Sequence, residues 1–403
     1  MAEIMRDYMA THPWIDFSFD LRKLEWLTYF RTGEAMSKCE HIAGAALMPE
    51  VSSRLHLIYL VKGVLATTAI EGNTMSEEQV RARIEGDGAL PPSREYQGVA
   101  VDNIVEVSNE ILATVAESSP PTLSPELLKD YNRRVLQGQE LQDGVIPGHV
   151  RTTSVGVGRY LAPPAADCEY LIQELCTWIN RPWIDDDQNP PEELKFTVVV
   201  LKAVLAHLYI AWIHPFGDGN GRTARLVEYL ILVSSGVPSP AAHLLSNHYN
   251  LTRDRYYQRL DASSKGVNGE AHFVDYAIEG FIDGLREQVD LIRRQQMEVT
   301  WVNYVHLQFQ GRRMTETQRR RRELVLGMKA GEIVGRDSIA ELSPSIARLY
   351  ATVGSKTVTR DLNALVKAKL LKRVRGGFEP RTEVIEAFLP VRMPLDETVS
   401  GVA

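Results

Sequence analysis

The sequence predicts a mainly α-helical protein with one short β-hairpin and a small winged-helix module near its C-terminal end. Three observations predict this. Apolar residues recur at helical spacing through the first three hundred positions. One stretch, Val150–Leu161, breaks the habit with β-branched residues and glycines. The charge also changes sign along the chain. The 403 residues carry 45 Lys+Arg and 52 Asp+Glu, a net charge of −7, yet Gly311–Ala403 sums to +7 and the preceding part to −14. A basic module on an acidic body suggests two units with different partners.

Composition excludes several classes. With 44% hydrophobic and 24% charged residues the chain is neither disordered nor collagen-like, and it has enough apolar side chains for real cores. Cys39, Cys168 and Cys176 are too few and too scattered for a disulfide framework or a zinc site, which fits a reducing compartment. The N-terminal residues lack a basic patch followed by an apolar run, so no secretory signal is expected. The most apolar stretch, Phe196–Ile213, is interrupted by Lys202 and His207 and is short for a bilayer span. A soluble cytoplasmic protein without a membrane partner is expected.

In chain order, Leu55, Ile58, Val61, Leu65 and Ile70 predict a helix, with Ser52 and Ser53 as caps and Gly72-Asn73 as its stop. A second helix should follow Pro190-Pro-Glu-Glu193 and run to about Trp212, apolar on most faces and therefore central. A third should begin near Gly221 and end before Gly236 and Pro238, and another amphipathic helix should cover about Phe273–Arg294. Between Pro147-Gly148 and Pro163-Pro164 a glycine-bearing hairpin is expected. The expected domains are an N-terminal helical region (1–115), a catalytic core (116–290), a connecting helix (291–318), a winged helix-turn-helix (319–390) and a tail (391–403).

The segment His214-Pro-Phe-Gly-Asp-Gly-Asn-Gly-Arg-Thr-Ala-Arg225 carries the chemistry. It joins two buried helices. Gly219, Asn220 and Gly221 bring bare N–H groups to the incoming helix terminus, where the helix dipole favours an anion. Arg222 and Arg225, three apart, add two permanent cations, which implies a polyphosphate rather than a single carboxylate. Asp218 offers an oxygen ligand for Mg²⁺. His214 titrates near neutrality and suits a general base. Phe216 is the expected inward anchor.

This segment resembles the Fic family signature, H-P-F-x-D/E-G-N-G-R-x-x-R, at every defining position, and His12-Pro-Trp-Ile-Asp16 also resembles the N-terminal region of many members. The resemblance spans about residues 10 to 290. It implies a Fic-type helical bundle and a protein adenylyltransferase, which moves AMP from ATP onto a Ser, Thr or Tyr hydroxyl of a target protein and onto itself. His214 would deprotonate the hydroxyl, Asp218 would hold Mg²⁺, and Gly219, Asn220 and Gly221 would cradle the phosphates. Arg222 and Arg225 would neutralise the pyrophosphate, with Arg225 on the γ-phosphate. Val155, Gly156 and Val157 would form the flap that docks the target as an added strand, the alternative being an ordinary loop. Tyr256 and Tyr257 look like the family's adenine-side tyrosines, with a core role for one as the alternative. A homodimer is expected.

Thr67, Glu71 and Gly72 resemble the family's inhibitory motif, [S/T]-x-x-x-E-[G/N], placed on the N-terminal side of the core. A glutamate in the last turn of a helix opposes the dipole and gains from a cationic partner. The resemblance names Arg225. A solvent-facing Glu71 is the alternative.

In the basic tail, Ser338–Ser343 reads as the first helix of a helix-turn-helix. Ser355 caps a second helix from Lys356 to Leu370, and Leu371–Phe378 forms a wing. Lys356, Thr357, Thr359 and Arg360 would face a major groove, with Arg373 and Arg375 on phosphates. Such modules also serve as protein contacts, and both roles stay open. Two further functions remain beside adenylyl transfer: a DNA-binding regulator, or a Fic enzyme that uses another donor or removes AMP.

Overall fold

The computed structural model describes residues 6–86, 88–117, 120–184, 191–266, 268–311 and 313–385. The tail expected at 391–403 and the last residues of the expected winged helix lie outside them. The chain forms two compact units, Met1–Ile292 and Arg293–Ala403.

The first unit opens with α1 (Asp7–Thr11), α2 (Trp26–Ala43), α3 (Pro49–Ile70), α4 (Glu77–Glu85), α5 (Glu95–Glu117) and α6 (Pro125–Val135). Helix α3 begins earlier than expected. Pro49 stands at its first position, where a missing N–H costs nothing, so Ser52 and Ser53 lie inside the helix rather than capping it. Its end follows the sequence signal. The Gly72 N–H donates to Ala69 O and the Asn73 N–H to Thr68 O, with Gly72 at φ +94°. This is a Schellman cap, and its left-handed residue favours glycine.

A hairpin follows. Strand β1 (Gly156–Val157) pairs antiparallel with β2 (Tyr160–Leu161) across a turn that places Gly158 at φ +60°. Only four residues of the expected Val150–Leu161 hairpin pair within it; Val150 instead bridges to Phe216.

Helices α7 (Cys168–Asn180), α8 (Glu192–Ile213) and α9 (Asn220–Ser234) form the centre. In α8, Val200, Leu201, Val204, Leu205, Leu208 and Ile213 are all fully buried. It is long and apolar enough to cross a membrane, but most of it is enclosed by protein, as in a core helix. Helix α9 packs along it through Leu226, Val227 and Leu230. Around them lie α10 (Ser239–Ala242), α11 (Leu244–Leu251), α12 (Arg253–Ser263) and the start of α13 (Gly269–Phe309), which runs well beyond Arg294. A buried polar network threads this core. The Tyr249 hydroxyl donates to Glu228 Oε1 at 2.8 Å, and His207 Nε2 meets the Tyr256 hydroxyl at 2.8 Å. The three cysteines are buried free thiols, and burial pushes those of Cys39 and Cys176 up to about 12.

The second unit has its own core, built by Trp301, Val305, Leu324, Ile346, Leu362, Leu365 and Phe378 among others. After α14 (Glu316–Gly327) come α15 (Pro344–Tyr350), α16 (Ser355–Lys367), and strands β3 (Leu371–Val374) and β4 (Gly377–Pro380). The helix before α16 is therefore not Ser338–Ser343, which largely falls in a 3₁₀ turn at Arg336–Glu341. Ser343 accepts the Ile346 N–H and Pro344 takes the first helical position, so the stronger start signal wins. Gly354, not Ser355, is the residue at the cap of α16, and the helix ends at Lys367.

Candidate active site

The loop between α8 and α9 is held from three sides. His214 ends α8 in the left-handed region (φ 48°, ψ 57°), uncommon for a residue with a Cβ, and turns the chain sharply. Phe216 is fully buried. Asn220 clasps it, accepting the Phe216 N–H and donating to its carbonyl, both at 2.9 Å. Asn132 on α6, also fully buried, donates to Asp218 O at 2.8 Å and accepts the Gly148 N–H at 3.0 Å. The Asn220 side chain is thus used within the loop. Its backbone N–H, the group the sequence reading offers to phosphate, stands apart from this clasp.

Arg151 fixes the other side. Its guanidinium donates to His214 O at 2.7 Å, Thr153 O at 2.8 Å and Pro163 O at 2.6 Å, and it is buried. A cation on the last carbonyls of α8 complements the helix dipole. Burial, aided by the nearby Arg151 charge, lowers the His214 pKa from 6.5 to about 4. His214 is therefore neutral at physiological pH and able to accept a proton. Neither Arg151 nor Asn132 is singled out by the sequence, because each is one polar residue whose partners lie far along the chain.

Helix α9 makes its first intrahelical bond from the Thr223 N–H to Gly219 O, so the Asn220, Gly221 and Arg222 amides are its unpaired donors. Two guanidinium groups stand with them. Arg222 Nη2 lies 3.2 Å from Asp218 Oδ1, while its buried Nε has no partner. Arg225 is buried, and its Nη1 also has no partner. Two buried, unanswered N–H donors beside three helix-end amides make a site for an anion larger than a carboxylate. Asp218 is the loop's exposed carboxylate, and no cluster of three or more potential metal ligands occurs among the described residues.

The other groups on Arg225 come from α3. Thr67 and Glu71, four apart, share one face. Arg225 Nε donates to Thr67 Oγ1 at 3.0 Å, and Nη2 donates to Thr67 O at 3.0 Å and to Glu71 Oε1 at 2.6 Å. The Glu71 side chain remains 32% exposed. Burial works to raise its pKa, but Arg225, backed by Arg222, outweighs it and holds the carboxyl below its ordinary value. The sequence resemblance pairs these residues, and the structure brings them together. It adds that Arg253 Nη2 donates to Ile70 O at 2.6 Å and the Tyr257 hydroxyl to the same oxygen at 3.3 Å, so α12 grips the end of α3.

The two tyrosines separate. Tyr256 is buried with its hydroxyl on His207, the core position that the sequence leaves open for one of the pair. Tyr257 is 43% exposed. Among flap residues, Val155 O accepts the Ala162 N–H, while Gly156 and Val157 form β1 and are exposed. Strand β2 is anchored by the Tyr160 hydroxyl on Trp212 O and by His12 on Leu161 O, both at 2.8 Å. Strand β1 has no second neighbour in its sheet.

Residues 122–232, which include the whole loop, match the sequence profile of the Fic/DOC family. They are a Fic domain. The match is shorter than the span of resemblance in the sequence, and Thr67 and Glu71 lie outside it. The chain is 30% identical over 229 residues to a protein adenylyltransferase fic-1 of Caenorhabditis briggsae, covering 56% of this chain and 40% of that one. It is 28% identical over 260 residues to the Caenorhabditis elegans protein adenylyltransferase fic-1, covering 62% and 46%. The chain thus spans less than half the length of these relatives. A Fic family protein from Desulfovibrio desulfuricans shares the fold, with a TM-score of 0.52 at 20% identity over 86% of this chain and 92% of that one. A Caenorhabditis elegans Fic-1 structure gives 0.51 at 23%, covering 66% and 73%.

Proposed function

We propose that this Fic-domain protein transfers AMP from ATP onto a Ser, Thr or Tyr hydroxyl of a target protein and onto itself, and that Glu71 restrains it. The observation that carries the reading is the conjunction at one loop of a neutral imidazole, a helix N-terminus and two arginines with unanswered buried N–H groups. The relatives are named protein adenylyltransferases, which is the same chemistry.

Each step falls to a named group. The hydroxyl gives its proton to the neutral His214 as its oxygen bonds to the α-phosphorus. The bond from that phosphorus to the bridging oxygen breaks, and pyrophosphate leaves. Charge grows on the departing oxygens, where the α9 amides and Arg222 are already oriented and Arg225 joins them once Glu71 lets it go. Asp218 is the carboxylate that suits Mg²⁺, an ion that commonly binds through one or two carboxylates plus substrate phosphates. When bound, Mg²⁺ would neutralise phosphate charge. The free edge of β1 offers main-chain pairing to an extended target segment. Residue for residue, Glu71 holds the guanidinium that the terminal phosphate of ATP would use, so ATP binds unproductively until the pair opens.

The test is transfer from α-labelled ATP with magnesium, read by autoradiography and by mass spectrometry of the intact chain. Glu71→Gly should gain label, including one AMP on the chain itself, and Glu71→Gly/His214→Ala should gain none. Absence of label in Glu71→Gly on both the chain and a lysate of acceptor proteins would overturn the reading.

A further inference from the structure

We propose that the second unit binds double-stranded DNA, with α16 lying in the major groove. The argument begins with how charge is arranged on that helix. Lys356, Arg360, Asn363 and Lys367 are all exposed and follow one another at spacings of four, three and four, so they form a single outward stripe. From Lys356 to Lys367 the stripe is about 16 Å long at 1.5 Å per residue, a length a major groove accommodates.

The acidic residue of α16 is withdrawn from that stripe. Asp361 is 1% exposed, and Arg320 Nε and Arg321 Nε of α14 each donate to it at 2.7 Å. Two cations bury one carboxylate, and the outer face keeps only positive and neutral donors. The hairpin continues the pattern. Arg373 Nη2 donates to Asn363 Oδ1 at 3.0 Å, which sets the wing against the same stripe, and Arg375 is exposed at its tip. The wing's carboxylates, Glu379 and Glu383, are engaged by Lys372.

Lys356, Arg360, Lys367 and Arg375 have no carboxylate partner among the described residues, although surface cations elsewhere in the chain commonly do. A row of unpaired cations and an amide on one helix, preceded by a second helix across four residues and followed by a two-stranded hairpin, complements a polyanion with a groove. The N-terminal position of Lys356 and Arg360 places them for base edges, and Arg373 and Arg375 for phosphates. This inference is independent of nucleotidyl transfer, since no residue of the loop at His214–Arg225 enters it.

The experiment is fluorescence anisotropy of a short labelled DNA duplex of random sequence, titrated with the full chain at about 50 mM salt and again at higher salt. Binding is expected, weakening with salt along a log–log slope of about −0.9 per phosphate neutralised. Lys356→Glu/Arg360→Glu should weaken it at least tenfold. Arg22→Glu, at a surface cation of the first unit, should bind as the unmodified chain does. A duplex RNA of the same sequence should bind at least tenfold more weakly, because its major groove is too narrow for a helix. Should the charge reversal fail to fold by circular dichroism, Lys356→Ala/Arg360→Ala replaces it, with the same direction expected. No binding at low salt, equal binding by the stripe variant, equal loss in Arg22→Glu, or equal affinity for RNA would each overturn the proposal.

Discussion

The Glu71 carboxylate fills the space that a Cβ on Gly221 would need, while pairing with Arg225 at 2.6 Å. The absence of a side chain at Gly221 is thus what lets α3 deliver its last-turn glutamate to the start of α9. Gly221→Ala should therefore act on Glu71 first. Alone it should cost about 1–3 kcal/mol, the penalty of disturbing a charged hydrogen bond with a buried partner. In a Glu71→Gly background most of that cost should vanish, because alanine is the better helix former by up to ~1 kcal/mol. Chemical denaturation of the four proteins of this cycle measures the coupling, and strict additivity would refute it.

The restraint should survive mild acid. Arg225 keeps the Glu71 carboxyl below its ordinary value of 4.5. A depressed carboxylate contributes stability that is complete above its unfolded pKa and is lost only as pH falls through the lower folded one. The ratio of transfer rates, Glu71→Gly over the unmodified chain, should stay constant between about pH 8 and 5. Convergence of the two rates near pH 6 would show that some other group holds the restraint.

What the sequence reveals depends on how local the cause is. The loop, the helix stop at Gly72 and the central helix are legible because their signals are contiguous: glycines, a cap, an unbroken apolar run. Arg151 and Asn132 are not, since they bond to His214 and Asp218 from 63 and 86 positions away. Tyr256 and Tyr257 cannot be told apart in the sequence because α12 is otherwise polar, with Arg253, Asp254, Arg255, Gln258 and Arg259 around them, and only the packed structure shows that the ring of Tyr256 turns inward. Pro344 was the informative residue in the second unit: a serine followed by proline starts a helix more decisively than Ser338 does.

The imidazole of His214 should govern the acid limb of catalysis at an unusual place. Its pKa is lowered from 6.5 to about 4, chiefly by burial, so the base stays unprotonated far into acid. For Glu71→Gly, kcat/KM should be flat from pH 8 to about 5 and should fall near pH 4. The sign for stability agrees: the unfolded chain takes up a proton below pH 6.5 that the folded chain resists, so folding weakens as pH drops through that window. Histidine titration by NMR, compared with His214→Ala, identifies the group, and a limb near 6.5 would contradict the assignment.

Arg151 should behave as a positioning residue. It holds the His214, Thr153 and Pro163 carbonyls at once and never approaches a reacting atom through its own chemistry. Arg151→Ala leaves those buried acceptors unanswered, a loss of about 1–3 kcal/mol for the first and less for the others as water enters. In Glu71→Gly, adding Arg151→Ala should lower kcat more than it raises KM for ATP, and should move the acid limb upward because a nearby positive charge is gone. Arg151→Lys restores charge without the fork and should recover the pH limb but not the rate.

The grip of α12 on α3 predicts a partial release. Ile70 is the last residue of α3, and its carbonyl accepts from Arg253 at 2.6 Å and from the Tyr257 hydroxyl at 3.3 Å. A cation at a helix C-terminus complements the dipole and fixes the turn that carries Glu71. Arg253→Ala should cost about 1 kcal/mol and let the glutamate swing, giving a transfer rate between those of the unmodified chain and Glu71→Gly. Tyr257→Phe removes a longer, neutral bond and should release less. Because both act only through α3, neither should alter the rate once Glu71 is already glycine. A fall in rate in that background would mean that Arg253 or Tyr257 touches the nucleotide directly, as the adenine-side reading of Tyr257 implies.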